Sequence, residues 1–264
     1  MENKTGYSFQ ENGHSHYFDG KRMTGITTVL GVIAKPFLIN WAANEAVDCI
    51  KNRFEISDRV IRPIRADDGK NVVYWYEVAK PIFESILEEA RISHRKKKEE
   101  AGQKGTDIHA LIEKRINGAI KNNNGFINKE AIDENEQVQK FILWSQDNNV
   151  KFLEVEKHIY SEKLWLGGVC DFVCEIDGEA WIGDIKTGSG IYAEAFFQTA
   201  GYQILFEEMG LYPNIKGHLI LNLKKTGEFL EKRSISNEDN KNAFLSALNL
   251  YRVIEKINGQ IINK

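Results

Sequence analysis

Two acidic residues and one lysine stand at a spacing that suits phosphate-ester chemistry. The chain reads Gly167-Gly168-Val169-Cys170-Asp171 and, after a short interval, Gly183-Asp184-Ile185-Lys186-Thr187-Gly188. Along a strand, side chains alternate between faces, so Asp184 and Lys186 project together while Ile185 projects into the core. Asp171 falls on the preceding strand, and Asp177-Gly178 between them is a strong hairpin signal. Two carboxylates on paired strands converge at the separation that one hard cation bridges. Mg²⁺ takes oxygen ligands in an octahedron and keeps several waters, so Asp171, Asp184 and the main-chain carbonyl of Ile185 suffice as the protein share; Mn²⁺ accepts the same donors. Such an ion lowers the pKa of a bound water and stabilises charge on a phosphate oxygen. Lys186 has three roles open to it: orienting the water, deprotonating it, or neutralising the transition state. Asp-x-Lys by itself is common, and an acid and a lysine on one strand face usually form an ordinary solvated pair.

The elements that must hold these residues divide the chain in two. Residues 6–23 read as a hairpin, with aromatic residues around Glu11-Asn12-Gly13 and a second turn at Asp19-Gly20. Residues 24–30 open a helix with Thr27 as a possible N-cap, and 38–52 have helical periodicity. The polar stretch 56–72, with Pro63 and Asp67-Asp68-Gly69, reads as a loop. Residues 73–98 read as a helix broken near Pro81, and a second helix starts near Thr106. Asn122-Asn123-Asn124-Gly125 is a loop signal, and 131–148 is helical. Strands follow at 152–160, 164–176 and 180–186, then a helix at 192–209 stopped by Gly210. A hairpin at 218–224 and 228–235 and a helix at 237–257 complete the chain. The order predicts an α/β fold with a mixed sheet flanked by helices, with 1–104 an N-terminal elaboration and 105–264 the core.

Composition bounds the setting. The 264 residues are 42% hydrophobic and 28% charged, the balance of a globular chain, and the formal net charge of −3 excludes a uniformly basic nucleic-acid binder. Three cysteines, an N-terminus without an apolar core of the secretory type, and no apolar run of membrane-spanning length predict a reducing, cytoplasmic setting and no membrane partner. Cys170 and Cys174, four apart on one strand, are expected on one face, opposite Asp171, as small buried residues. Basic residues at 91–104 and at Lys224, Lys225, Lys232 and Arg233 are candidate phosphate-tracking strips, and equally candidates for solvated faces. Trp165, Phe196 and Phe197 are candidate base-stacking residues, with core packing the plainer alternative.

Asp171 followed by Asp184-Ile185-Lys186 resembles the signature of the PD-(D/E)xK nuclease superfamily. Gln198-Thr199-Ala200-Gly201-Tyr202 looks like the Q-x-x-x-Y motif of its RecB-like branch, and Gly105 through His109 resembles the G-x-x-x-H helix of that branch. The motifs stand in the family's order across residues 105–202. The stretch from Tyr17 to Leu30 is similar to the start of many phage exonucleases of this type. Cys170 stands where the family's nominal pattern has proline.

The resemblance implies a restriction-endonuclease-like core and a metal-dependent deoxyribonuclease, an exonuclease on linear ends or single strands. It implies that His109 supplies an imidazole to the metal, that Asp171 and Asp184 are acidic ligands, that Lys186 is the catalytic lysine, and that Gln198 and Tyr202 contact the site and the DNA strand. A recombination or replication protein is the expected partner, in a bacterial or phage-infected cell. A structure-specific endonuclease and a catalytically inactive DNA-binding module are the alternatives. The iron–sulfur cluster of some relatives needs three cysteines after the core, and none follows Cys174. Beside these, Glu113 either orients His109 or faces water. Glu156 is a further candidate ligand, with Glu154 its rival in the same strand register.

Overall fold

Tight turns with left-handed residues shape the N-terminal meander. In the computed structural model, which describes residues 6–56, 62–67, 72–77 and 80–260, strands β1 (Tyr7–Gln10), β2 (Ser15–Phe18) and β3 (Lys21–Gly25) pair antiparallel in chain order. Gly13 and Gly20 at the two turns have φ of 93° and 72°, which glycine adopts without a Cβ clash. The short helix α1 (Ile26–Val29) follows, and its N-cap is Gly25, two residues before the expected Thr27.

Next come α2 (Pro36–Ile56), β4 (Arg62–Asp67), β5 (Val72–Glu77) and the 43-residue helix α3 (Lys80–Asn122). The expected loop over 56–72 and helix from 73 are corrected here: β4 and β5 form an antiparallel pair from Arg62↔Glu77 to Asp67↔Val72. The run Val72-Val73-Tyr74-Trp75-Tyr76 is β-branched and aromatic, and such side chains favour the pleat over the helix. The Asp68-Gly69 part of the expected turn lies outside the described residues. Pro81 does not break a helix; it sits in the first turn of α3, where a missing N–H forfeits no helical hydrogen bond. The helix expected from Thr106 is the continuation of α3.

The remaining elements are α4 (Glu136–Asp147), β6 (Lys151–Ser161), β7 (Leu166–Ile176), β8 (Glu179–Lys186), α5 (Ala193–Glu208), β9 (Ile215–Leu223), β10 (Phe229–Ser234) and α6 (Asn237–Asn258). Asn135 caps α4 by accepting from the amides of Gln137 and Val138. The main sheet runs β1-β2-β3-β7-β8-β9-β10, with β6 also paired to β7. β3 with β7 and β8 with β9 are parallel, and the other pairs are antiparallel. The result is a mixed, open α/β sheet with helices on both faces. Ile108, Ile112 and Ile116 of α3 and Val138, Phe141 and Ile142 of α4 cover one face, against Phe172, Cys174 and Leu219. Leu205 and Phe206 of α5 with Phe244 and Leu248 of α6 cover the other, against Ile159, Leu166 and Ile182.

The chain forms two compact units, Met1–Ile33 with Gly105–Lys264, and Ala34–Lys104. Residues 6–33 therefore belong with the core rather than with an N-terminal elaboration ending at 104, because β3 joins the main sheet at Thr24↔Leu166 and Gly25↔Gly167. Within the second unit, Arg53 pairs with Glu89, Lys97 with Glu45, and Arg91 with Glu88. Part of the basic run from Arg91 is thus neutralised locally.

Strand alternation on β6 and β7 is interrupted, and this decides where polar side chains go. Glu156 has a left-handed backbone with φ of 45°. The β6–β7 ladder passes from Val155↔Phe172 to Lys157↔Cys170 around it, with a further register shift between Phe152 and Glu154. Across this irregularity Cys170 packs into the α5/α6 face, whereas Cys174 packs into the α3/α4 face. The expectation that the two cysteines share a face is therefore corrected: four residues of regular strand preserve the face, and the interruption at Glu156 and Asp171, between Cys170 and Phe172, inverts it.

Close packing across the β7–β8 hairpin depends on one glycine. Gly183 is the ladder partner of Phe172, whose ring lies across it, and a Cβ at 183 would come within 2.0 Å of that ring. Both residues are buried, so Gly183→Ala is expected to lower stability by about 1–3 kcal/mol, read from the urea midpoint. A midpoint equal to wild type would show that the Phe172 ring moves aside without penalty.

A second buried feature gives a pH dependence. The fully buried His218 on β9 has its ring nitrogens bonded to Gln203 (2.9 Å) and Asn240 (3.2 Å). Burial, helped by Lys241, lowers its pKa from 6.5 to about 4. The unfolded chain then takes up a proton that the folded chain refuses as pH falls below 6.5, so stability is lost through the window 6.5 to 4 and levels off below it. The expected loss is about 3 kcal/mol, from the free-energy equivalent of each pKa unit. His218→Gln should flatten the urea-midpoint profile across that window; an unchanged slope would assign the effect elsewhere. His16, also lowered to about 4 by burial with His158 and His14 nearby, adds to the same slope.

Candidate metal centre

The site lies where the partners of β7 part. β6 follows β7 from Leu166 to Glu175 along one edge. On the other edge β3 pairs at Leu166 and Gly167, while β8 pairs from Phe172 to Ile176. Asp171 falls in the interval between those two partners. Its Oδ2 takes up the amide of Ile185 at 2.7 Å, beyond the last β7–β8 ladder pair at Phe172↔Gly183. The carboxylate is thereby fixed to the neighbouring strand by a charge-assisted bond.

His109 is brought to Asp171 by α3. Gly105 is buried against Thr187, and a Cβ there would stand 2.8 Å from the Thr187 hydroxyl oxygen. The glycine lets the helix close on the end of β8, and His109, one turn further on, shares its face. His109 Nδ1 lies 3.6 Å from Asp171 Oδ2, with side-chain exposures of 31% and 14%, so both reach solvent. Glu156 completes the group. One ligand atom from each of His109, Glu156 and Asp171 falls within 4.8 Å of the other two. Burial, reinforced by Asp171, Glu113 and Asp184, pushes the Glu156 carboxyl up to about 8. Crowded acids with a poorly solvated member are what a divalent cation would relieve, and an imidazole with two carboxylates is a donor set that such an ion accepts.

Asp184 and Lys186 stand beside this group, on the sheet face that α5 covers. Asp184 is 1% exposed, and burial raises its pKa to about 6 against the opposing pull of Lys186. Lys186 Nζ lies 2.7 Å from Asp184 Oδ2 and donates to Asp184 Oδ1 and Gln198 Oε1, both at 3.0 Å. Burial draws the ammonium pKa down, but the charges of Asp184 and Asp171 outweigh it and the net shift is upward. Gln198 in turn donates to the Tyr202 hydroxyl at 2.7 Å. The Tyr202 ring rests on β7 at Gly168, where a Cβ would approach it to 2.9 Å. Burial and the two aspartates hold the phenol well above its ordinary pKa. Asp184, Lys186, Gln198 and Tyr202 form one continuous polar chain across β8 and α5.

No family model matches this sequence, and no curated protein matches it either. The site therefore stands on its own geometry.

The structure gathers His109 and Asp171 with Glu156, and links Asp184, Lys186, Gln198 and Tyr202. Asp184 is not part of the close His109–Glu156–Asp171 group, and the Ile185 amide is bonded to Asp171. Glu156, left level with Glu154 in the sequence, is set apart by its own left-handed backbone: Glu154 instead bonds Lys157 and the Tyr212 hydroxyl. A local strand irregularity leaves no mark in hydropathy alternation. Glu113 accepts from Asn117 at 3.4 Å and acts on Glu156 through its charge. Of the candidate basic strip on the late hairpin, Lys224 pairs with Glu228 and Arg233 with Glu231. Phe197 packs against the α5/α6 core, while Trp165, 36% exposed, bonds the Arg22 carbonyl through its indole N–H.

Proposed function

We propose that this chain is a divalent-metal-dependent nuclease that hydrolyses phosphodiester bonds in DNA, with a restriction-endonuclease-like core of the PD-(D/E)xK type. The observation that carries the reading is the convergence of His109, Glu156 and Asp171, drawn from α3, β6 and β7, beside the buried Asp184–Lys186 pair. These are groups far apart in sequence, and their meeting at an accessible interval in a sheet is the arrangement this chemistry requires.

His109, Glu156 and Asp171 would hold Mg²⁺ or Mn²⁺, with Asp184 as the adjoining carboxylate. Such an ion supplies Lewis acidity toward a phosphate oxygen and a water of lowered pKa. The protein's own part is positioning. The Ile185 amide fixes Asp171, and Asp184 with Gln198 fixes Lys186 from two sides. Lys186 is ion-paired and enters as an ammonium, so its role is to neutralise or orient rather than to remove a proton. Gln198 and Tyr202 extend that support into α5. The helix motifs around His109 and Gln198 resemble those of end-directed enzymes, which favours exonuclease action. No helix among the described residues is long and apolar enough to cross a membrane.

The test is incubation of the chain with linear and circular DNA in Mg²⁺, Mn²⁺ or EDTA. Loss of linear DNA alone, abolished by EDTA, is the expected result. Nicked circles would assign endonuclease action, and binding without cleavage would assign a DNA-binding module. Mn²⁺ should also raise the melting temperature, by the equivalent of about 2.7 kcal/mol at a hundredfold excess over the dissociation constant. Glu156→Gln should remove most of that rise, and an unchanged rise would take Glu156 out of the site.

A further inference from the structure

The ladder of β8 on β9 sets Lys186 directly beside Asn222. Leu219, Leu221 and Leu223 of β9 pack into the α3/α4 face, so Asn222 projects to the opposite face, which α5 covers and Lys186 shares. Asn222 is fully buried, yet neither the nitrogen nor the oxygen of its amide has a hydrogen-bond partner. His218, on the same face of β9, shows the usual outcome: it is bonded at both ring nitrogens. A buried carboxamide without partners is destabilising, and an aliphatic side chain of the same size is not. Asp184 Oδ2, also buried, is paired with the ammonium at 2.7 Å. The unsatisfied Asn222 amide and the Asp184 carboxylate flank Lys186 on one sheet face.

An ammonium has three donors, and Lys186 directs them to Asp184 and Gln198. If the Asp184 carboxylate turns to a cation, its share of Lys186 must go to another acceptor in a place closed to bulk water. We propose that Asn222 is a positioning residue of the site, whose side-chain oxygen accepts the Lys186 ammonium when Asp184 is drawn to a cation. The proposal rests on the nuclease reading of the centre. It gives Lys186 two stations, one on Asp184 and one on Asn222, with Gln198 as the common anchor.

The test compares Asn222→Val with Asn222→Thr, which have nearly the same shape and differ by one hydroxyl acceptor. Three quantities are read: melting temperature without metal, Mn²⁺ affinity by calorimetry, and kcat and KM on linear DNA. Asn222→Val is expected to melt no lower than wild type, to bind Mn²⁺ about tenfold more weakly, and to lose about tenfold in kcat with KM within about twofold, the scale of one hydrogen bond to a charged group. Asn222→Thr should recover most of both losses. Wild-type Mn²⁺ affinity and kcat in the valine variant would overturn the proposal. Equal impairment of valine and threonine variants would also overturn it, since that outcome reports packing alone. If the wild-type chain cuts DNA in either case, only this role for Asn222 falls; a wild type that neither binds Mn²⁺ nor cuts DNA removes the nuclease reading and this inference together.

Discussion

Asp171→Asn is expected to lower metal-dependent DNA cleavage by at least about a thousandfold, the rate equivalent of roughly 4 kcal/mol of lost transition-state stabilisation. The substitution is nearly isosteric, and the amide oxygen can still accept the Ile185 N–H that Asp171 now binds at 2.7 Å. The anchor between β7 and β8 is kept while the charge beside His109 and Glu156 is removed. The urea midpoint should therefore move little, and Mn²⁺ affinity should fall with activity. Cleavage within tenfold of wild type would place the reaction elsewhere on the molecule. A lost activity with a collapsed midpoint would make Asp171 a structural residue.

Lys186→Met should produce the largest combined effect on stability and activity. The substitution preserves the stem of the side chain and deletes the ammonium, leaving Asp184, 1% exposed, as a buried carboxylate without its counter-ion. Breaking a buried pair from one side costs about 3–5 kcal/mol. The lower end applies here, because Lys186 is 32% exposed along its side chain and Asp184 can take up a proton. Cleavage should fall by about a hundredfold to a thousandfold, the loss typical of removing one charge-stabilising group. The double variant Asp184→Asn with Lys186→Met should recover most of the stability and none of the activity. Separate denaturation and cleavage measurements read the two consequences independently. A single variant as stable as wild type would mean that the pair contributes nothing net to folding.

Much of the core was legible from periodicity and turn residues. Asp177 and Gly178, with φ of 55° and 79°, make the left-handed two-residue turn that their types announce. The strand after that turn then has only one way to present Asp184 and Lys186 together with Ile185 opposed. The boundaries that went astray share a physical cause. Val73 to Tyr76 read as the start of a helix because apolar residues there are dense enough to satisfy either period, and β-branching decides for the strand. Residues 73–98 and those from Thr106 read as two helices, yet α3 runs through the interval, where Gly105 allows close approach to Thr187 at the end of β8. At the candidate site, Asp171, Asp184, Lys186 and His109 were nameable from residue type and order. Glu156 was nameable only level with Glu154, because the left-handed backbone that sets it apart leaves no mark in the sequence, and Asn222 was not, because it depends on which strand the crossover after α5 sets beside β8.

The inversion of faces between Cys170 and Cys174 has a practical consequence. The sheet separates the two thiols, so oxidation cannot join them without unravelling the hairpin. Both are fully enclosed, while Cys49, in the other unit, is partly accessible. The chain thus carries three intrinsic labelling positions in three different surroundings. Pulsed alkylation followed by peptide mapping would time the opening of the α3/α4 side at Cys174 and of the α5/α6 side at Cys170 as separate events, with no engineered probe.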